Sequence, residues 1–129
     1  MNRASQVVVP AEDERQQRFV RSYLYRLRYT QRDIRFEALP TGRGCGEQWV
    51  RGRYAAAVRA YRARASRAKT ALIVIIDADQ RETEHRVSQF REALNQAQLQ
   101  ARAATERIAH LIPKRNIETW VLCLVGRDV

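Results

Sequence analysis

Asp77 and Asp79 stand two residues apart, directly behind Thr70-Ala71-Leu72-Ile73-Val74-Ile75-Ile76, an apolar run rich in β-branched side chains. Residues two apart on an extended chain point to one side, so both carboxylates can face the same small volume. Carboxylates that close repel unless positive charge lies between them, and a hard divalent cation, Mg²⁺ or Mn²⁺, is the usual solution. More acids stand at comparable places. Glu12-Asp13-Glu14 follow the short apolar stretch 6–9, and Glu118 comes soon after the stretch 108–112. A single acid at such a place is commonly a helix cap, as Asp13 and Asp79 could each be; a pair behind so apolar a run is a stronger sign of a site.

For these acids to meet, they must leave one edge of one sheet. The run 70–76 predicts a central strand of a parallel sheet, buried on both faces. In open α/β sheets ligands collect beyond the carboxyl ends of the strands, and right-handed crossovers bring those ends to a common edge. Gln6 to Val9 predicts a first strand, broken by Pro10. From about Asp13 to Leu27, Phe19, Val20, Tyr23, Leu24 and Leu27 recur at helical spacing and leave an arginine-rich outer face. Asp33 to Leu39 alternates as an edge strand would, with Ile34, Phe36 and Ala38 on one side. A turn-rich loop, Pro40 to Gly46, opens a long helix whose stripe is Val50, Tyr54, Ala57, Val58, Tyr61 and Ala65. After Asp79 a helix is expected from about Arg81 to Gln98 with Val87, Phe90 and Leu94 inward. Residues 99–107 carry no strong signal; Ile108 to Ile112 reads as a fourth strand, and Asn116 caps a final helix through Thr119, Trp120, Leu122 and Leu124. The fold class expected is α/β, a Rossmann-like doubly wound, mainly parallel sheet of about four strands with flanking helices.

The 129 residues suit one domain, and 45% apolar content supplies an ordinary core. The charge is not ordinary. Twenty-four basic residues against 14 acidic give +10, and only Lys69 and Lys114 of the basic ones are lysines. Guanidinium forks suit phosphate, so a polyanion, most simply nucleic acid, is the partner implied; a GC-rich genome explains the arginine preference but not the excess charge. From Arg43 to Lys69 there are eight basic residues and one acid, Glu47. Such a strip is commonly a solvated helix face, but beside Trp49 it can also track a nucleic-acid backbone, with Arg43, Arg51, Arg53 and the later Arg115 as contacts. Tyr54 and Tyr61 fall on the core stripe instead. Gly42-Arg43-Gly44-Cys45-Gly46 lacks the Lys-Ser/Thr of a P-loop and reads as a plain turn. Cys45 and Cys123, with His85 and His110, offer too few ligands at suitable spacing for zinc. The opening residues lack a signal-peptide core and no stretch approaches a membrane span, so a cytoplasmic protein with free thiols is expected. The stop at Val129, a few residues past the last helix, leaves open that the chain is part of something longer.

The order of these motifs resembles a known family. A strand with Glu12 at its end, a helix bearing Phe19 seven residues on, and a hydrophobic strand closed by Asp77-Ala78-Asp79 look like the Toprim domain of topoisomerases, bacterial primases and the OLD-type (overcoming lysogenization defect) nucleases. Ile112-Pro113-Lys114-Arg115-Asn116-Ile117-Glu118-Thr119-Trp120 resembles a glutamate-tryptophan segment of small Toprim-like proteins, some associated with phage defence. The resemblance implies that Asp77 and Asp79 bind Mg²⁺ and that Glu12 acts in acid-base chemistry or joins the metal site. One departure is Asp13, where the family has glycine, with Glu14 as a substitute for Glu12.

Such a set suits phosphodiester cleavage: metal on Asp77 and Asp79, with Glu118 near, polarises a phosphoryl oxygen, Glu12 takes a proton or binds a second metal, and Lys114 or Arg115 neutralises phosphate charge. The expectation is therefore a metal-dependent nuclease or the nuclease subunit of an anti-phage system, acting on DNA before RNA, with an ATPase partner or self-association left open. Two other classes compete with it. A receiver-like phosphoacceptor would use Asp77 but has no role for Asp79, and a non-catalytic nucleic-acid-binding module would keep binding after both aspartates were replaced.

Overall fold

The computed structural model describes residues 4–11, 13–37, 50–65, 67–76 and 83–112. Among these residues four strands, β1 (Gln6–Val9), β2 (Ile34–Phe36), β3 (Thr70–Ile75) and β4 (Ile108–Leu111), form one sheet in the order β2-β1-β3-β4. Every pairing is parallel: Val8 lies opposite Arg35 on β2 and Leu72 on β3, and Leu72 lies opposite Ile108 on β4. The α/β, doubly wound architecture is thus the one the sequence implied. Reversal of strand order on either side of β1 and β3 puts the topological switch point between those two strands.

Helix α1 (Glu14–Arg26) links β1 to β2 and covers one face. Asp13 starts it: its carboxylate accepts from the Gln16 N–H at 2.9 Å, satisfying a donor that the first turn would otherwise leave orphaned. Val20 and Leu24 pack on Val7, Val9, Ala11 and Ile75. Two contacts tie the helix to the edge strand, Gln17 Nε2 donating to the Glu37 carbonyl at 3.2 Å and the Arg21 guanidinium lying 5.0 Å from the centre of the Phe36 ring. The helix stops at Arg28, whose φ of 71° lies in the left-handed region. The Arg28 and Tyr29 N–H groups then donate to the Tyr25 and Leu24 carbonyls, which closes a Schellman turn without glycine.

The opposite face carries a π-helical turn (Val50–Tyr54) that runs into α2 (Ala55–Arg64), and α3 (Thr83–Gln96). Tyr54, Ala57 and Val58 are buried with Leu72, Val74, Ile76, Phe90, Leu94 and Ile108. The expected stripe holds from Tyr54 to Tyr61, which packs against this cluster half-buried, while the side chain of Val50 lies outside what is described. Ala65 departs from it and is exposed, because α2 has ended at Arg64 and Ala65 already lies in a turn. Helix α3 closes as α1 does, with Gln98 at φ 60° and the Leu99 N–H donating to the Leu94 carbonyl at 2.8 Å.

Residues 99–107, featureless in sequence, are held by side chains from α2. Arg62 donates to the Glu106 carboxylate from Nε and Nη2 at 2.9 and 3.0 Å, and the Tyr61 hydroxyl accepts from the Arg107 N–H at 2.8 Å. Arg102 Nε donates to the Ile108 carbonyl at 2.6 Å, putting a charged side chain against strand β4, which forms one side of the sheet. β2, the other side, has three residues rather than the seven of its alternating segment; Glu37 lies past its end, and positions 38 and 39 are outside the described residues.

Candidate functional site

Parallel pairing brings the carboxyl ends of all four strands to one rim. The Ile75 N–H donates to the Pro10 carbonyl at 3.4 Å and the Ile76 N–H to the Leu111 carbonyl at 3.1 Å, so the chain leaves β1, β3 and β4 from adjacent positions. Neighbouring strands lie about 4.8 Å apart, so the segments that leave β1 and β3 at the switch point start close enough together to face one ligand. Ala11 and Ile76, one residue before Glu12 and Asp77, are both buried. Two buried apolar residues at the carboxyl rim therefore fix the points from which the two acidic segments depart.

The nominated site residues themselves divide unevenly. Glu12, Asp77, Asp79, Lys114, Glu118, Arg43 and Arg115 lie outside the described residues. Arg51 belongs to the π-helical turn, and Arg53, in the same turn, is exposed beside Phe36 and Glu37 at the end of β2. Arg53 is thus at the carboxyl rim. Of the acids around Glu12, Asp13 is the cap of α1, and Glu14 is exposed in the first turn of that helix. Among the described residues no group of three or more His, Cys, Asp or Glu side chains is arranged to hold a metal ion. Trp49, Cys45 and Cys123 are outside the described residues too.

One polar cluster was not legible in the sequence. The Tyr54 hydroxyl and His110 Nε2 share a hydrogen bond of 2.8 Å, and the Phe90 ring lies 4.4 Å from both the tyrosine and the histidine ring centres. Burial pushes the His110 imidazole down to about 4, with the positive charge of Arg102 acting the same way. Burial lifts the Tyr54 phenol to about 12. Both groups are consequently neutral near pH 7, and the pair acts as a hydrogen-bonded strut between the π-helical turn and β4 rather than as an acid-base couple. Tyr54 follows from its place on the apolar stripe; nothing in the spacing of His110 pointed to its partner. π-Helical turns often mark functional places, and this one carries Arg53 at its outer side.

No family model, curated protein or solved structure matches this chain. Among the described residues no helix is long and apolar enough to cross a membrane.

Proposed function

We propose that this chain is a Toprim-like, metal-dependent nuclease or the nuclease subunit of a defence system, with its centre at the carboxyl rim between β1 and β3. The observation that carries the reading is the meeting of two things at that switch point: an apolar central strand followed directly by Asp77-x-Asp79, and its hydrogen-bonded neighbour followed by Glu12. Asp77 and Asp79 would hold Mg²⁺ or Mn²⁺, with Glu118 available as a further ligand; a bound ion supplies Lewis-acid charge at a phosphoryl oxygen and acidifies its water. Glu12 would take the proton from the attacking water or hold a second ion. Lys114 would offset charge on the phosphate, and Arg43, Arg51, Arg53 and Arg115 would engage backbone phosphates. Attack breaks one P–O ester bond and leaves a phosphate monoester and a hydroxyl. The net charge of +10 favours a polyanionic substrate, DNA in the first instance.

The test is incubation with plasmid, linear and single-stranded DNA and with RNA, in EDTA, Mg²⁺ or Mn²⁺, comparing the parent with Asp77→Ala. Metal-dependent cleavage that disappears in the variant is expected. Cleavage that survives in EDTA or in Asp77→Ala refutes this centre.

A second reading draws on the strand order, since 2-1-3-4 also opens the flavodoxin-like arrangement used by receiver-type phosphoacceptors. On that reading Asp77 would form an acyl phosphate with a small phosphodonor, and no nucleic acid would be cut. Mass spectrometry after treatment with such a donor separates the two.

A further inference from the structure

The face of the sheet covered by α2 carries a basic groove that the rim chemistry does not use. Its walls are β2 on one side, with Arg35 and Glu37, and α2 on the other, with Arg64 at its far end. Small side chains, Ala57 and Ala60, keep the helix from filling the space, and Val8 and Leu72 form the floor. The cavity is about 90 Å³, and a more open pocket beside Arg53, Ala56 and Phe36 adjoins it, sharing Arg35, Glu37 and Ala57 in its lining. Because α2 descends from the carboxyl rim to the opposite edge, where β3 begins, Arg53 and Arg64 mark the two ends of a basic wall roughly 16 Å long.

One further feature marks the groove as a place for a ligand. Thr70, 5% exposed, lines the cavity, and its Oγ1 has no hydrogen-bond partner. A buried hydroxyl without a partner is costly, and in a cavity whose lining residues include two arginines an oxyanion can satisfy it.

We infer that this groove binds the sugar-phosphate backbone of a single-stranded nucleic acid, with one phosphate seated between Arg35, Arg64 and the Thr70 hydroxyl, and guides the strand to the carboxyl rim past Arg53. A slot between a helix and a sheet admits one phosphodiester strand. The rigid, paired backbones of a duplex suit such a slot less well than one flexible strand does. Glu37 is the one acid lining the groove among the described residues, and it lies at the rim end, away from Thr70. The exposed face of α1 makes the contrast: Arg18 and Arg26 are solvent-exposed there, on the convex outside of a helix. The inference deepens the nuclease reading by naming a substrate form and a path, but the binding it describes requires no metal.

The experiment measures fluorescence anisotropy of a labelled twenty-residue oligo-dT and of a duplex of equal length, in EDTA, over a range of salt. Arg35→Glu with Arg64→Glu is compared with the control pair Arg18→Glu and Arg26→Glu, each checked for folding by circular dichroism. The groove pair is expected to weaken single-strand binding at least tenfold and to reduce the slope of log K against log salt by between one and two, as loss of about two phosphate contacts requires. The control pair should change both ligands by less than threefold. Thr70→Val should weaken single-strand binding a few-fold with the salt slope unchanged. If the double reversal does not fold, Arg64→Gln alone, at an exposed position, should still lower the slope by more than half a unit.

Equal losses from groove and control pairs, or duplex binding that matches the single strand and falls in parallel, would overturn the groove. Tight groove-dependent binding without any Mg²⁺-dependent cleavage would count against the nuclease and leave the groove standing. Cleavage unaffected by the groove pair would do the reverse.

Discussion

The two faces of this sheet are built on different principles. Under α1 the fully buried centre is aliphatic, Val7, Val9, Val20, Leu24 and Ile75, held mainly by burial, with the polar and aromatic contacts of Gln17, Arg21 and Phe36 at its margin. Under α2 and α3 the centre is three rings, Tyr54, Phe90 and His110, joined by a hydrogen bond and flanked by the Arg62–Glu106 pair. An aliphatic face tolerates changes of pH and loses stability in proportion to the volume removed. A polar-aromatic face is held in one arrangement by satisfied hydrogen bonds, and removing one partner leaves the other stranded. The proposed groove and the π-helical turn both lie on the second face.

The largest expected effect separates the faces directly. Leu24→Ala should cost about 2–4 kcal/mol, the range for a buried leucine. Tyr54→Ala should cost more, about 4–5 kcal/mol, because it removes a fully buried ring and also leaves His110 Nε2 without its partner. Urea unfolding of the two variants with equal m-values measures the gap. Equal losses would mean that the Tyr54–His110 bond adds nothing, and the contrast between the faces would fail.

Acid sharpens the same comparison. His110 titrates near 4 when folded against an ordinary value of 6.5, because burial disfavours the imidazolium. Between those values the unfolded chain takes up a proton that the folded chain refuses, so stability is complete above about pH 6.5 and falls as pH drops towards 4. Since the ring keeps partial contact with solvent, the loss is about 1–2 kcal/mol rather than the full value of the shift. His110→Gln, which retains a group able to hydrogen-bond Tyr54, should flatten this part of the pH profile, and Leu24→Ala should leave its shape as in the parent. A profile that His110→Gln does not alter would assign the acid sensitivity to carboxylates instead.

The faces also differed in how far their sequence disclosed them. Helix α1 announced itself through Phe19, Val20, Tyr23, Leu24 and Leu27 at helical spacing and an acid at its start, although Tyr23 and Leu27 of that stripe are exposed, and β3 through an apolar run that begins at Thr70 as expected. Parallel order followed from the alternation of strand and helix. The second face was less legible, because its defining contacts join residues 44 to 56 positions apart: Arg62 with Glu106, Tyr61 with Arg107, Tyr54 with His110. Periodicity reports which side of an element faces inward, and it says nothing about which polar group will be met there. Residues 99–107 had no signal for the same reason, since their order is imposed by α2. The helix ends were approximate, because Arg28 and Gln98 occupy positions where glycine would have been the sign. As for the site, the sequence marked Glu12, Asp77 and Asp79, and the fold supplies the common rim from which their segments depart.

A milder test bears on the acids behind β1. Asp13→Ala should lower stability by about 1 kcal/mol through loss of the α1 cap, and Asp13→Ser should restore most of it. If Asp13 is purely a cap, any metal-dependent cleavage by the folded variant stays within twofold of the parent. A tenfold fall in cleavage at unchanged stability would instead assign Asp13 to the site in place of Glu12.

The smallest effect is one on which the two faces should agree. Arg28 and Gln98 each hold a left-handed conformation that costs a side chain about 1–2 kcal/mol, and each ends its helix with the same pair of backbone hydrogen bonds. Glycine relieves that strain but adds freedom to the unfolded chain, so Arg28→Gly and Gln98→Gly should each gain only about 0.5–1 kcal/mol. Both positions are exposed, and neither touches the rings or the aliphatic core, so the gains should be alike and should add in the double variant. Thermal unfolding of the two single variants and the pair measures this. A gain at Arg28 with none at Gln98 would mean that the turn after α3 is already strained into place by Leu99 and the Arg62–Glu106 clamp, which would extend the dependence on long-range contacts from the second face's core to its loops.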